Sequence, residues 1–244
     1  MKRIVGVTAA ASAAMLLAAG CTSNNDDAPD PGSSTAAATS SAESGADGSK
    51  AQSLVLTQKD LPAGYQVMEV PKGELEKVAG SFSTGIKTAK VTPAGCAQLS
   101  AFPDKIKVDE IGYLIGMKTT SVLAETVSVS SRSVDSARKA ATGKCAKQTI
   151  EITDGPAAGA KATATSKVIS SPKTKADDAV VIQQKATMVT NDVKTSSTVI
   201  VGLAEVDGYL VSVQASDASQ GGTPDLAAFN AFFTKAIDRV ESKG

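Results

Sequence analysis

The chain reads as an α+β domain, a twisted antiparallel sheet with helices packed on one face, following a disordered tether. Three observations predict this. From residue 118 onward several long stretches alternate apolar and polar residues, as strands with one buried face do. Helical spacing appears once between those strands and again at the end of the chain, an order that suits a single α+β domain. Residues 22–49 hold no Leu, Ile, Val or aromatic residue, and so have no apolar surface to offset the entropy of ordering.

Taken in order, Leu54-Val55-Leu56-Thr57 and Lys59-Asp60-Leu61-Pro62-Ala63-Gly64-Tyr65 predict a short turn or helix, closed by Pro and Gly, before a strand at Gln66–Val70. Thr92-Pro93 offers an N-cap and a first-turn proline for a short helix carrying Cys96 and Leu99. Between Lys118 and Ser131, Leu123, Val127 and Val129 share one side of a long strand, and Glu125 interrupts that side. Ser133 caps a helix over Val134–Lys144, where Val134, Ala137, Ala141 and Cys145 fall near helical spacing and Gly143 weakens the last turn.

Strands follow at Lys147–Ile152, Lys161–Ser170 and Ala179–Thr190, the last with Val180, Ile182 and Met188 on one face. Val199–Gln214 predicts a hairpin turning at Asp207-Gly208, because both positions of a type I′ turn need positive φ. The final helix has Thr223 as cap and Pro224 in its first position, with Leu226, Phe229, Phe233, Ile237 and Val240 on one stripe. Ser and Thr on the second face of several strands fit a sheet with one side in water.

The amino terminus carries an address. Met1-Lys2-Arg3, an apolar run Ile4–Ala19 and Gly20 have the three regions of a secretory signal, too short to span a bilayer. Leu16-Leu17-Ala18-Ala19-Gly20-Cys21 resembles the lipobox of bacterial lipoproteins, which implies cleavage after Gly20 and acylation of Cys21. Two or three acyl chains at about 0.8 kcal/mol per buried methylene give stable anchoring. The expected organisation is a signal peptide at 1–20, a lipidated linker at 21–52 and the α+β domain at 53–244, on the outer face of the cell membrane. As a flexible coil, the Ser/Thr/Ala-rich linker would hold the domain on average roughly 30 Å from the bilayer.

Charge excludes one class of partner. Without Lys2 and Arg3 the chain holds 23 basic and 25 acidic residues, a net of −2, and five of the acids (Asp26, Asp27, Asp30, Glu43, Asp47) lie in the linker. From Lys50 onward the balance is +3, dispersed rather than concentrated in a basic stripe, so no nucleic-acid partner is expected.

With Cys21 acylated, Cys96 and Cys145 remain, an even number outside the cytoplasm. A disulfide between them would close a loop of about 50 residues and contribute roughly 4 kcal/mol. The rival roles, a catalytic thiol or a zinc ligand, lack the imidazole or the additional ligands they need, since the chain contains no His. That absence also removes Ser-His-Asp catalysis and the commonest acid/base group near neutral pH.

Ser136-Ala137-Arg138-Lys139 and Ser170-Ser171-Pro172-Lys173 match S-x-x-K, but S-D-N and K-T-G are missing. Thr142-Gly143-Lys144 lacks the first glycine of a phosphate loop. Asp109-Glu110 and Asp177-Asp178 read as solvated turn charge. No catalytic residue, metal ligand or cofactor is expected.

The residues Leu56, Asp60, Leu61, Pro62, Gly64 and Tyr65, then Pro93-x-x-Cys96, a second cysteine on a Ser-capped helix, and a late hairpin before a terminal helix form a recognisable series. It resembles actinobacterial envelope lipoproteins with a domain similar to the extracellular part of mycobacterial serine/threonine kinases of the PknH kind. The resemblance implies a sensor-like α+β domain with a cleft for an unknown small-molecule, lipid or protein ligand, and no catalytic residues. The expected function is thus a membrane-anchored, non-enzymatic binding or sensing lipoprotein. A lipid or glycolipid carrier is the alternative, and a Ser-Lys hydrolase comes third.

Overall fold

In the computed structural model, residues 46–77, 89–96, 110–129, 134–153, 159–190 and 193–243 are described. Among them nine strands make one sheet: β1 (Gln66–Val67), β2 (Ala89–Thr92), β3 (Ile111–Lys118), β4 (Ser121–Val129), β5 (Lys147–Ile152), β6 (Lys161–Ile169), β7 (Asp178–Thr190), β8 (Val193–Val206) and β9 (Tyr209–Asp217). Their order is β1-β3-β4-β9-β8-β7-β6-β5-β2, with every neighbouring pair antiparallel. Strands β5 to β9 are a continuous meander, and the β3–β4 hairpin joins it through β9. The antiparallel α+β class read from the sequence is the one observed.

Two helices cover one face of the β3, β4, β9 and β8 half. They are α1 (Ala46–Leu54) and α3 (Leu226–Lys243). From α3, Phe229, Phe232, Phe233, Ala236, Ile237 and Val240 are fully buried against Leu123, Val127, Ile200, Ala204, Val211 and Val213. Gly202 makes this possible, because a Cβ there would stand 2.9 Å from the Phe229 ring. Burying each phenylalanine is worth about 1.5–3 kcal/mol. The short α2 (Val134–Ala140) sits on the reverse face, where Val134 and Ala137 pack on Val180 and Leu203. Those two alternate with Val181 and Ala204, which belong to the α3 side.

Several local expectations change. The strand expected at Lys118–Ser131 is β4, preceded by β3 in a hairpin whose turn residue Thr119 has φ 55°. Val129, the last residue of β4, is exposed. The Asp207-Gly208 turn has φ 49° and 79°, as a type I′ turn demands. Helix α3 begins at Leu226 with Asp225 as its cap, the carboxylate accepting the Ala228 N–H at 3.0 Å, so Thr223 and Pro224 precede the helix and Leu226 is exposed. Thr92 ends β2 and Pro93 lies in the turn after it, so the expected cap pair precedes a helix that begins at Cys96; the rest of that helix, Leu99 included, lies outside the described residues. Helix α2 stops at Ala140, and Cys145 lies in a separate 3-10 turn, Gly143–Ala146, where Gly143 has φ 56°. Its expected cap, Ser133, lies outside the described residues; the Val134 N–H donates to the Glu205 carboxylate at 3.0 Å.

Candidate functional site

The Leu56–Tyr65 motif is a plug that seats α1 and the following turn on the β3–β4 hairpin. Leu56, Leu61 and Tyr65 are buried. Asp60 accepts both the Thr57 N–H (2.9 Å) and its hydroxyl (2.7 Å), which closes the turn Gln58–Asp60. The hydroxyl bond, ahead of other causes, holds the Asp60 carboxyl below the ordinary carboxylate range. Gly64 has φ 85°, and Tyr65 N–H returns to the Pro62 carbonyl at 3.1 Å. The Gln52 side-chain amide pairs with both backbone groups of Tyr113, continuing β3 where β1 no longer does.

Glycines set how closely these parts meet. Gly112 and Gly116 lie on the face of β3 that carries Leu114. A Cβ on Gly112 would collide with the Ala51 carbonyl oxygen and with Val55 Cγ2 at 2.6 Å. One on Gly116 would stand 2.8 Å from Leu61 Cδ2.

Under this plug lies Glu125, fully buried between Leu123 and Val127 on β4. One carboxyl oxygen accepts the Leu56 N–H at 3.0 Å, tying the α1 junction to the sheet across 69 residues of sequence. Among the described residues the other has no hydrogen-bond partner, and neither has the buried Nε of Arg239, whose guanidinium donates to the Ser53 carbonyl at 3.3 Å. Burial pushes the Glu125 pKa up to about 8 against an ordinary 4.5, opposed by the Leu56 N–H and by Arg239 and reinforced by Asp60. A carboxyl that titrates near neutral pH has the proton affinity of an acid/base group. Sealed under the plug, it meets no substrate in this arrangement and acts as a latch. Its sequence signal was the interruption of an apolar strand side.

The residues singled out from the sequence are scattered. Cys96 and Cys145 are bonded, with Cα atoms 5.5 Å apart, and both are buried. The bridge ties the end of β2 to the turn before β5. Lys139 is held by Asp135 at 2.7 Å one turn away on an exposed helix face, and Ser170 and Lys173 are exposed between β6 and β7. Neither S-x-x-K match stands in a cleft. Asp178 pairs with Arg138 at 2.6 Å, docking α2 on β7, while Asp177 is exposed. Asp109 and Cys21 lie outside the described residues, as do the signal and most of the linker; α1 begins inside the stretch read as linker, where Ala51 is buried, and runs on into the domain, where Leu54 is buried. Among the described residues no cluster of three His, Cys, Asp or Glu side chains could hold a metal ion, and no helix is long and apolar enough to cross a membrane.

No protein-family model and no curated protein matches the chain. Among solved structures, it is similar to an uncharacterised Mycobacterium smegmatis protein described as the Rv0999 ortholog, at 15% identity and a TM-score of 0.45 over 75% of this chain and 92% of that one. It is also similar to the extracellular domain of PknH from Mycobacterium tuberculosis, at 14% identity and a TM-score of 0.35 over 77% of this chain and 98% of that one.

Proposed function

We propose that the chain is an envelope lipoprotein, held to the outer face of the cell membrane by acylated Cys21, whose domain binds or senses a ligand and performs no chemistry. The observation that carries this reading is the division of the cysteines. Cys96 and Cys145 bond to each other inside the domain, as suits an oxidising compartment, and this leaves Cys21, at the end of an apolar leader, as the remaining thiol. The surface placement of both S-x-x-K matches and the sealing of Glu125 favour binding over catalysis.

Replacing Cys21 with Ser is expected to move the protein from the membrane pellet to the soluble fraction; retention in the pellet would defeat the anchor. Native mass spectrometry of the protein taken from its own membranes addresses the ligand. A stoichiometric lipid would favour the carrier reading, which the tight packing of α3 on the sheet does not support.

A further inference from the structure

We infer that the open half of the sheet, beside α3 and on the same face, docks on an anionic lipid surface through a lattice of lysines. The strand register fixes which residues share that face. Val181 stands opposite Gly202, under α3, and counting outward by twos places Lys185 opposite Thr198 and Thr165, with Lys147 next in that row. A second row runs Lys161, Val189, Lys194 across β6, β7 and β8. Lys167 lies one step along β6, and Lys90 faces Glu151 at the β2 edge. All six lysines are exposed. At the register positions of this face in β2 and β5 to β8, Glu151 is the one acid, 3.7 Å from Lys161, and the rest are mainly Thr, Ser and Gln.

The shape of this lattice decides the kind of partner. Neighbouring strands are about 4.8 Å apart, so Lys147 and Lys185, two strands apart, are about 10 Å from each other. Charges spread in two dimensions at that spacing match a surface of headgroups rather than one small anion. Their four-carbon stems let the ammonium groups reach phosphates while the sheet stays clear of them. A single-stranded nucleic-acid partner would call for aromatic side chains among the cations, and these positions hold none.

An apolar side chain among the lysines favours lipid over an acidic protein. Val189 is 41% exposed between Lys161 and Lys194, on the same face as both. A valine flanked by lysines suits the boundary between headgroups and acyl chains. The inference does not depend on acylation of Cys21.

The test is vesicle sedimentation of the protein from residue 21 onward carrying Cys21→Ser, so that neither an acyl group nor the apolar leader contributes. Vesicles of phosphatidylcholine with and without phosphatidylglycerol are compared at about 0.1 M and about 1 M salt, where the screening length falls from about 10 Å to about 3 Å. Binding is expected only with phosphatidylglycerol and only at the lower salt. Each lysine near such a surface is worth about fivefold, so Lys147→Glu, Lys167→Glu and Lys185→Glu together should weaken binding by roughly 100-fold or more. Lys→Gln at the same three positions should give an intermediate loss, which guards against a folding defect. Lys59→Glu, Lys144→Glu and Lys173→Glu, with the same net charge but outside these strands, should cost less than about fivefold. Val189→Ser should weaken binding and leave its salt dependence unchanged. Equal binding to neutral vesicles, or equal loss in the two sets of Lys→Glu changes, would overturn the proposal.

Discussion

Replacing Glu125 with Gln keeps an acceptor for the Leu56 N–H and removes the charge. In the folded protein the carboxyl has a pKa of about 8, against 4.5 ordinarily, because burial outweighs the help of Leu56 and Arg239. The raised value means that the folded state holds this proton more tightly than the unfolded chain does. Its stabilising contribution is therefore complete below about pH 4.5 and is lost as pH rises through about 8. Between those limits stability falls by about 1.4 kcal/mol per pH unit, which amounts to about 2 kcal/mol between pH 6 and 8.

The window is a clean one. The chain has no His, and the depressed carboxyls of Asp60, Asp135 and Asp217 titrate at lower pH. Urea unfolding midpoints measured at pH 6, 7 and 8 should fall for the natural chain and stay nearly level for Glu125→Gln. Parallel curves for the two proteins would refute the reasoning.

Gly112→Val forces a branched side chain into the Ala51 carbonyl and Val55. A loss of about 1–3 kcal/mol is expected, with faster amide exchange over residues 50–56 than over α3, and protection unchanged in both regions would contradict the contact. Opening the Cys96–Cys145 bridge, which spans 49 residues, should lower the unfolding free energy by about 2–4 kcal/mol, read as a drop in the urea midpoint on adding reductant.

The strands from β4 onward were legible because each alternates over a long stretch, and α3 because its aromatic stripe keeps helical spacing. Strand β3 was hidden by Gly112 and Gly116, which read as breakers in sequence and exist because α1 and Leu61 come too close for a side chain. The first six residues of β8, Val193–Thr198, are mostly polar on both faces, so no alternation marks them. At Thr92-Pro93 the cap pair was read a few residues early, since β2 runs through Thr92 and the helix begins at Cys96. Glu125 was visible as an interruption, whereas its environment depends on Leu56 and Arg239, which only the fold brings near. The lysine face was illegible for a related reason. Its members come from five strands and meet only through the register.

The central claim is that this domain hangs from a membrane by Cys21, and the intact mass of the protein extracted from its native membranes tests it most directly. The account predicts a chain that begins at Cys21, carries the added mass of a diacylglyceryl thioether with or without a third acyl chain, and has lost two hydrogens to the Cys96–Cys145 bond. A chain that retains residues 1–20, or begins beyond them with an unmodified Cys21, would contradict it.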